Sequence, residues 1–200
     1  MSDLKRICVY CGSAPGSRPE YIESARAVGR VLAKRGIGVV YGGARVGTMG
    51  AVAEGALDEG GEVIGIIPHG LVAMEVAHEG LSELHAVHSM HERKALMETM
   101  SDGFITLPGG YGTHDETFEV LVWLQLGIHR KPVGLLNTLE YYDSLLRYLD
   151  HTVQEGFLKQ ENRDLIQVER EPEALVDRML GWAAPEIPLW TPTQADDSKP

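Results

Sequence analysis

Three short stretches of the chain carry residue types that can do chemistry. The longest is Pro108-Gly109-Gly110-Tyr111-Gly112-Thr113-His114-Asp115-Glu116. Its glycines let successive backbone N–H groups turn toward one point, Thr113 adds a hydroxyl donor, and a carboxylate follows within about one helical turn. Cys11-Gly12-Ser13 and Gly42-Gly43 are shorter stretches of the same character. A helix that follows such a turn offers free amides and a dipole that favour an anion. Together the three point to a phosphate-bearing small molecule, a nucleotide or a sugar phosphate. The alternative is that the glycines serve only tight strand-to-helix turns. Glu116 also has two readings. Thr113 followed three residues later by Glu116 matches a capping box. Otherwise the carboxylate works beside the anion with a cation partner. Arg93-Lys94 is the candidate partner, unless that pair is a solvated helix surface.

Common nucleotide motifs are missing. The sequence has no Gly-x-x-x-x-Gly-Lys-Ser/Thr, which disfavours a P-loop triphosphatase. The first strand is not followed by Gly-x-Gly-x-x-Gly, which disfavours a dinucleotide coenzyme. Cys8 and Cys11 form Cys-x-x-Cys, but in an extended segment odd spacing points the two thiols to opposite faces, so redox chemistry is discounted. His85, His88 and His91 are discounted as metal ligands for the same reason of facing, and no metal site is expected.

These residues need elements to hold them. Short, continuously apolar runs at Ile7–Tyr10, Gly38–Tyr41, Glu62–Ile67, Leu84–His88, Gly103–Leu107, Pro132–Leu136 and Leu165–Val168 read as strands, the third stopped by Pro68. Between them Arg18–Arg35, Gly47–Asp58, His91–Met100, Thr113–Leu126, Tyr141–Gln154 and Pro172–Trp182 read as helices, while Leu71–Gly80 is a long connection with a partial helix. Apolar strands alternating with helices predict an α/β fold: a doubly wound, Rossmann-like parallel sheet with helices on both faces, in a single domain. In such a sheet ligands bind beyond the carboxyl ends of the strands, where all three glycine stretches fall. The domain is expected over residues 1–183, with a Pro-rich extended or disordered tail at 184–200.

Composition narrows the partner. Of 200 residues, 18 are Lys or Arg and 29 are Asp or Glu, a net charge of −11, which disfavours nucleic acid as a partner but leaves room for one small phosphate in a local pocket. Two cysteines make no disulfide framework. No apolar run is long enough to span a membrane, and the N-terminus lacks a signal-peptide core, so the expected location is the cytoplasm.

The long glycine stretch fits Pro-Gly-Gly-x-Gly-Thr-x-x-Glu, and Met90-His91-Glu92-Arg93-Lys94-Ala95 fits a companion block. Gln125-Leu126-Gly127-Ile128-His129 and Lys131-Pro132-Val133-Gly134-Leu135-Leu136-Asn137 continue the match. Over roughly residues 5–180 the chain resembles the Lonely Guy family of cytokinin-activating phosphoribohydrolases, whose members are often mislabelled lysine decarboxylases. The resemblance implies hydrolysis of the N-glycosidic bond of a nucleoside 5′-monophosphate, typically of an N6-substituted adenine, giving free base and ribose 5-phosphate. It implies homodimers or larger assemblies and no cofactor. It places the catalytic pair on Arg93 and Glu116. It places substrate contacts on Glu75, Met90, Lys94 and the loop Gly109, Gly110, Tyr111, Gly112, Thr113, His114 and Asp115, with Ser13 and Gly43 as neighbours. Three positions depart from the family pattern: His114 and Asp115, where many members carry Leu-Glu, and Val122, where many carry a Thr that contacts the nucleotide. The alternatives are a broader nucleosidase acting on AMP, and a nucleotide-binding module without chemistry.

Overall fold

The computed structural model describes residues 4–72, 78 and 80–186. Seven strands form one sheet: β1 (Arg6–Tyr10), β2 (Gly38–Tyr41), β3 (Val63–Pro68), β4 (Glu83–Val87), β5 (Gly103–Thr106), β6 (Val133–Leu136) and β7 (Ile166–Glu169). All neighbours are parallel, in the order β4-β3-β2-β1-β5-β6-β7. The helices are α1 (Pro19–Lys34), α2 (Gly47–Leu57), α3 (His69–Val72), α4 (Met90–Thr99), α5 (Tyr111–Gln125), α6 (Asp143–Gln154), α7 (Gln160–Arg163) and α8 (Pro172–Leu180). Among the described residues no helix is long and apolar enough to cross a membrane.

The two-residue period of a strand divides the core into layers. Ile7, Val9 and Cys11 point to the face covered by α1, α2 and α8. Cys8 and Tyr10 point to the face covered by α4 and α5. The two thiols therefore lie on opposite sides of the sheet, both free and buried. Leu135 and Ile166 pack with Tyr142 and Leu149 in a third cluster beneath α6. From β1 the chain runs outward to β4, then crosses back to place β5 on the other side of β1. The order of connection reverses there, so the loops after β1 and β5 diverge and leave a crevice at the carboxyl edge of the sheet.

Three local expectations change. Pro68 does not stop β3 but ends it, paired with Val87 of β4, where its missing N–H is tolerated near the sheet edge. Helix α6 begins at Asp143 instead of Tyr141, because a 3₁₀ turn at Thr138–Glu140 intervenes. Helix α5 begins at Tyr111, two residues before Thr113. The proposed Pro-rich tail falls largely on residues 187–200, which lie outside the described residues.

Candidate functional site

The loop after β1 is fixed to the start of α2 through one hydroxyl. Thr48 Oγ1 accepts from the Gly12 amide and donates to the Gly12 carbonyl, both at 2.9 Å. Gly47 makes this contact possible: its φ is +60°, and a Cβ there would stand 2.4 Å from the backbone of Ser13. Ser13 is thereby carried to the mouth of the crevice.

On the opposite wall, Gly110 is the N-cap of α5 and has no side chain to cap with. The first helical amide to reach it is that of His114, which donates to the Gly110 carbonyl at 3.1 Å. The amides of Tyr111, Gly112 and Thr113 thus have no partner within the helix, and their residues line the crevice. Gly109 lets Thr113 fold back onto the loop; a Cβ there would sit 2.2 Å from Thr113 Oγ1. Because the helix starts at Tyr111, Thr113 and Glu116 do not form the capping box their spacing suggests, and the Glu116 carboxylate is left for the cavity.

Arg93 enters from α4. Ser89 caps that helix by accepting the Glu92 amide at 3.1 Å, while the Glu92 carboxylate takes the His88 amide at 2.8 Å. This defined start delivers Arg93 inward, only 5% exposed. Its Nε donates to the Ile66 carbonyl at 3.0 Å. The guanidinium lies across Gly42 at the end of β2, where a Cβ would come within 1.9 Å of Arg93 Nη2 and 2.2 Å of Met49 Cε. Gly42 is required by the approach of Arg93, and its role is more than a turn.

Arg93 and Glu116 line one cavity of about 270 Å³ with Cys11, Gly12, Ser13, Met49, Met90, Gly110, Tyr111, Gly112, Thr113 and Asp115. Glu116 is 8% exposed. It makes no ion pair within 4 Å among the described residues. Burial pushes its carboxyl from 4.5 up to about 7, with Asp115 and Glu119 adding to the rise and the Arg93 and Lys94 cations opposing it. A carboxyl that titrates near neutrality can exchange a proton at working pH. The cavity therefore combines unpaired helix amides for an anion, a buried cation and a proton-exchanging carboxyl.

Other residues expected at the site fall elsewhere. Lys94 is committed to α5: its ammonium stands 3.0 Å from Asp115 and 3.1 Å from Glu119, and it does not line the cavity. Gly43 adopts φ +79° and its carbonyl accepts the His78 amide at 3.2 Å, also away from the lining. The His114 ring is edge-on to Tyr142, with centroids 5.9 Å apart. Gly109 borders a second, more apolar cavity of about 320 Å³, which shares Gly12, Ser13 and Gly110 with the first and is walled by Pro15, Tyr21, Pro108 and Tyr141. Val122 is 48% exposed on the flank of α5 and lines neither cavity. Glu75 lies outside the described residues. Cys11, Gly12 and Met49 join the lining without having been singled out as contacts; for Met49 no sequence signal exists, since a methionine on a small-residue helix reads as core. Among the described residues no group of three or more His, Cys, Asp or Glu is arranged to hold a metal. A separate hollow of about 750 Å³, between α1, the turn after β6 and the start of α8, contains none of the candidate residues.

Residues 49–179 match the family model described as possible lysine decarboxylase. The chain is 49% identical over 173 residues to a cytokinin riboside 5′-monophosphate phosphoribohydrolase of Rhodococcoides fascians, covering 86% of this chain and 87% of that protein. It is 50% identical over 165 residues to the cytokinin riboside 5′-monophosphate phosphoribohydrolase LOG of Oryza sativa subsp. japonica, covering 82% of this chain and 68% of that one. Among solved structures, the molybdenum cofactor binding protein of Rippkaea orientalis aligns with a TM-score of 0.67 at 22% identity, covering 90% of this chain and 98% of that one. At that identity the likeness is one of fold.

Proposed function

The chain belongs to the Lonely Guy family of phosphoribohydrolases, and from that premise we propose that it is a hydrolase cleaving the N-glycosidic bond of N6-substituted adenosine 5′-monophosphates, such as cytokinin riboside monophosphates. The products are the free base and ribose 5-phosphate. The observation that carries the reading is Glu116: a buried carboxyl, without an ion-pair partner among the described residues and raised to about 7, in one cavity with Arg93 and the open end of α5.

The amides of Tyr111, Gly112 and Thr113, with the hydroxyls of Thr113 and Ser13, hold the 5′-phosphate. Charge-assisted hydrogen bonds of this kind anchor the nucleotide by a group remote from the bond that breaks. Anchoring places the ribose C1′ beside Glu116. As the C1′–N bond lengthens, positive charge develops on the sugar, and an ionised Glu116 stabilises it. The same carboxylate takes a proton from water as the water oxygen bonds to C1′. The electron pair of the broken bond leaves with the base, which takes a proton from solvent at a ring nitrogen, and Glu116 returns to solvent the proton it took from water. Arg93, locked by Ile66 and Gly42, keeps a positive charge facing the substrate's anionic end and prevents the Glu116 carboxyl from rising further.

A decarboxylase built on a Schiff-base lysine finds no support among the described residues, because no lysine lines the cavity and Lys94 is held by two carboxylates. Homodimer formation is part of the proposal: Phe118, Val122 and Leu126 stand exposed along the outer face of α5, with Ile128 beyond them, and a second copy would cover this strip. A cytoplasmic location is part of the proposal, since a phosphorylated substrate stays on the side of a membrane on which it is made. Release of free base from N6-isopentenyladenosine monophosphate tests the reading. The wild-type protein is expected to release it and Glu116→Gln to lose nearly all activity; equal rates for the two proteins overturn the assignment.

A further inference from the structure

Two tyrosines outside every sequence motif hold the carbonyls of the glycine loop. After β6 the chain passes through the 3₁₀ turn, where Leu139 (φ +53°) and Glu140 (φ +61°) both take left-handed backbone, unfavourable for residues with a Cβ. The turn is fastened at both ends. The Asn137 carbonyl oxygen of the side chain accepts the Tyr142 amide at 2.8 Å, its amide nitrogen donates to Asp143 at 2.7 Å, and Arg170 pairs with Glu140 at 2.8 Å. This conformation carries Tyr141 and Tyr142 toward the loop between β5 and α5. The Tyr142 hydroxyl donates to the Leu107 carbonyl at 2.6 Å, and the Tyr141 hydroxyl donates to the Gly109 carbonyl at 2.7 Å. Edge-to-face packing braces the rings: Tyr141 lies 4.9 Å from Tyr142 and 5.8 Å from Tyr21, centroid to centroid.

In a planar trans peptide the C=O and the following N–H point in opposite directions. A Gly109 carbonyl drawn to Tyr141 therefore turns the Gly110 N–H away from Tyr141. Tyr141 and Gly109 border the apolar cavity and not the first one, whereas Gly110 borders both, which leaves the side where Arg93, Glu116 and the first amides of α5 stand open to the N–H. Two adjacent glycines would otherwise let this peptide plane rotate at little cost. We propose that Tyr141, braced by the Tyr142 ring, is a positioning residue for the glycine loop, setting the Gly109–Gly110 peptide so that its N–H joins those of Tyr111, Gly112 and Thr113 on the substrate's 5′-phosphate. The inference rests on the phosphate-holding role proposed above and adds residues that neither the motifs nor the cavity lining would single out as ligands of that group.

Tyr141→Phe keeps the ring and removes the hydroxyl, in the intact chain. With N6-isopentenyladenosine monophosphate, KM should rise about five- to tenfold, the value of one hydrogen bond, while kcat changes less than about twofold. Inhibition by ribose 5-phosphate should weaken by the same factor, inhibition by free adenine should not change, and the melting temperature should stay that of the wild type. Tyr148→Phe, an exposed tyrosine of α6 far along the chain from this loop, should leave all of these values unchanged. A Tyr141→Phe protein with unaltered ribose 5-phosphate affinity, or with equal losses for ribose 5-phosphate and adenine, overturns the inference alone. A wild-type protein that neither releases base nor binds ribose 5-phosphate overturns the proposed function and this inference with it.

Discussion

Replacing Glu116 by Gln should make the protein inactive and, above neutral pH, more stable. Burial holds this carboxyl at about 7 against an ordinary 4.5. The unfolded chain ionises it above about 4.5, whereas the folded protein keeps it protonated until about 7. Between those values the unfolded state binds fewer protons than the folded one, so stability falls as pH rises through the window and levels off above it. At about 1.4 kcal/mol for each tenfold change in proton affinity, the cost reaches about 3 kcal/mol at pH 8. Glutamine fills the same space and does not ionise, so Glu116→Gln escapes this cost. Urea unfolding of both proteins at pH 5 and pH 8 measures it. The variant should exceed the wild type by about 2 to 3 kcal/mol more at pH 8 than at pH 5, while base release falls about a thousandfold. Parallel pH dependences for the two proteins would refute the claim that the cavity pays for its carboxyl with stability. The same titration predicts a wild-type kcat/KM that climbs as pH rises through about 7.

Gly42→Ala should separate function from folding. The nearest atoms the added Cβ meets are side-chain ends, those of Arg93 and Met49, and not backbone, so the fold persists with some loss of thermal stability, but Arg93 is displaced and kcat/KM falls about a hundredfold or more. Lys94→Met leaves Asp115 and Glu119 uncompensated next to Glu116. Its carboxyl should rise further, moving the acidic limb of the pH–rate profile to higher pH, whereas Asp115→Asn should move it lower. A profile unchanged in both variants would show that this clasp does not act on Glu116.

The centre of the sheet was legible because β1, β2, β3 and β5 are largely apolar runs that end near glycine or proline; β4 and β7 carry charged and polar residues and end at neither. Gly38–Tyr41 matches β2 residue for residue, since Ile37 and Gly42-Gly43 frame it on both sides. The reading of Cys8 and Cys11 as facing apart followed from strand period alone. The Thr113–Glu116 spacing misled about the start of α5, because a capping-box pattern fixes no start when Gly110, the residue before Tyr111, already turns the chain. The effective cap lay at Ser89 and Glu92, before Arg93. What the sequence could not disclose depends on tertiary approach: Gly42 under a guanidinium, Lys94 held by two carboxylates of another helix, and a left-handed turn at Leu139-Glu140 whose residue types give no hint of positive φ. Short α7, four residues without a buried side chain, left no periodic signal at all.

On the proposed reading, one local anion site in a chain of net charge −11 selects a nucleoside by its 5′-phosphate. The most direct measurement compares kcat/KM for base release from N6-isopentenyladenosine monophosphate and from the corresponding riboside. With several charge-assisted hydrogen bonds lost, the riboside should react about a thousandfold less efficiently. Equal efficiency on the two substrates would contradict the account.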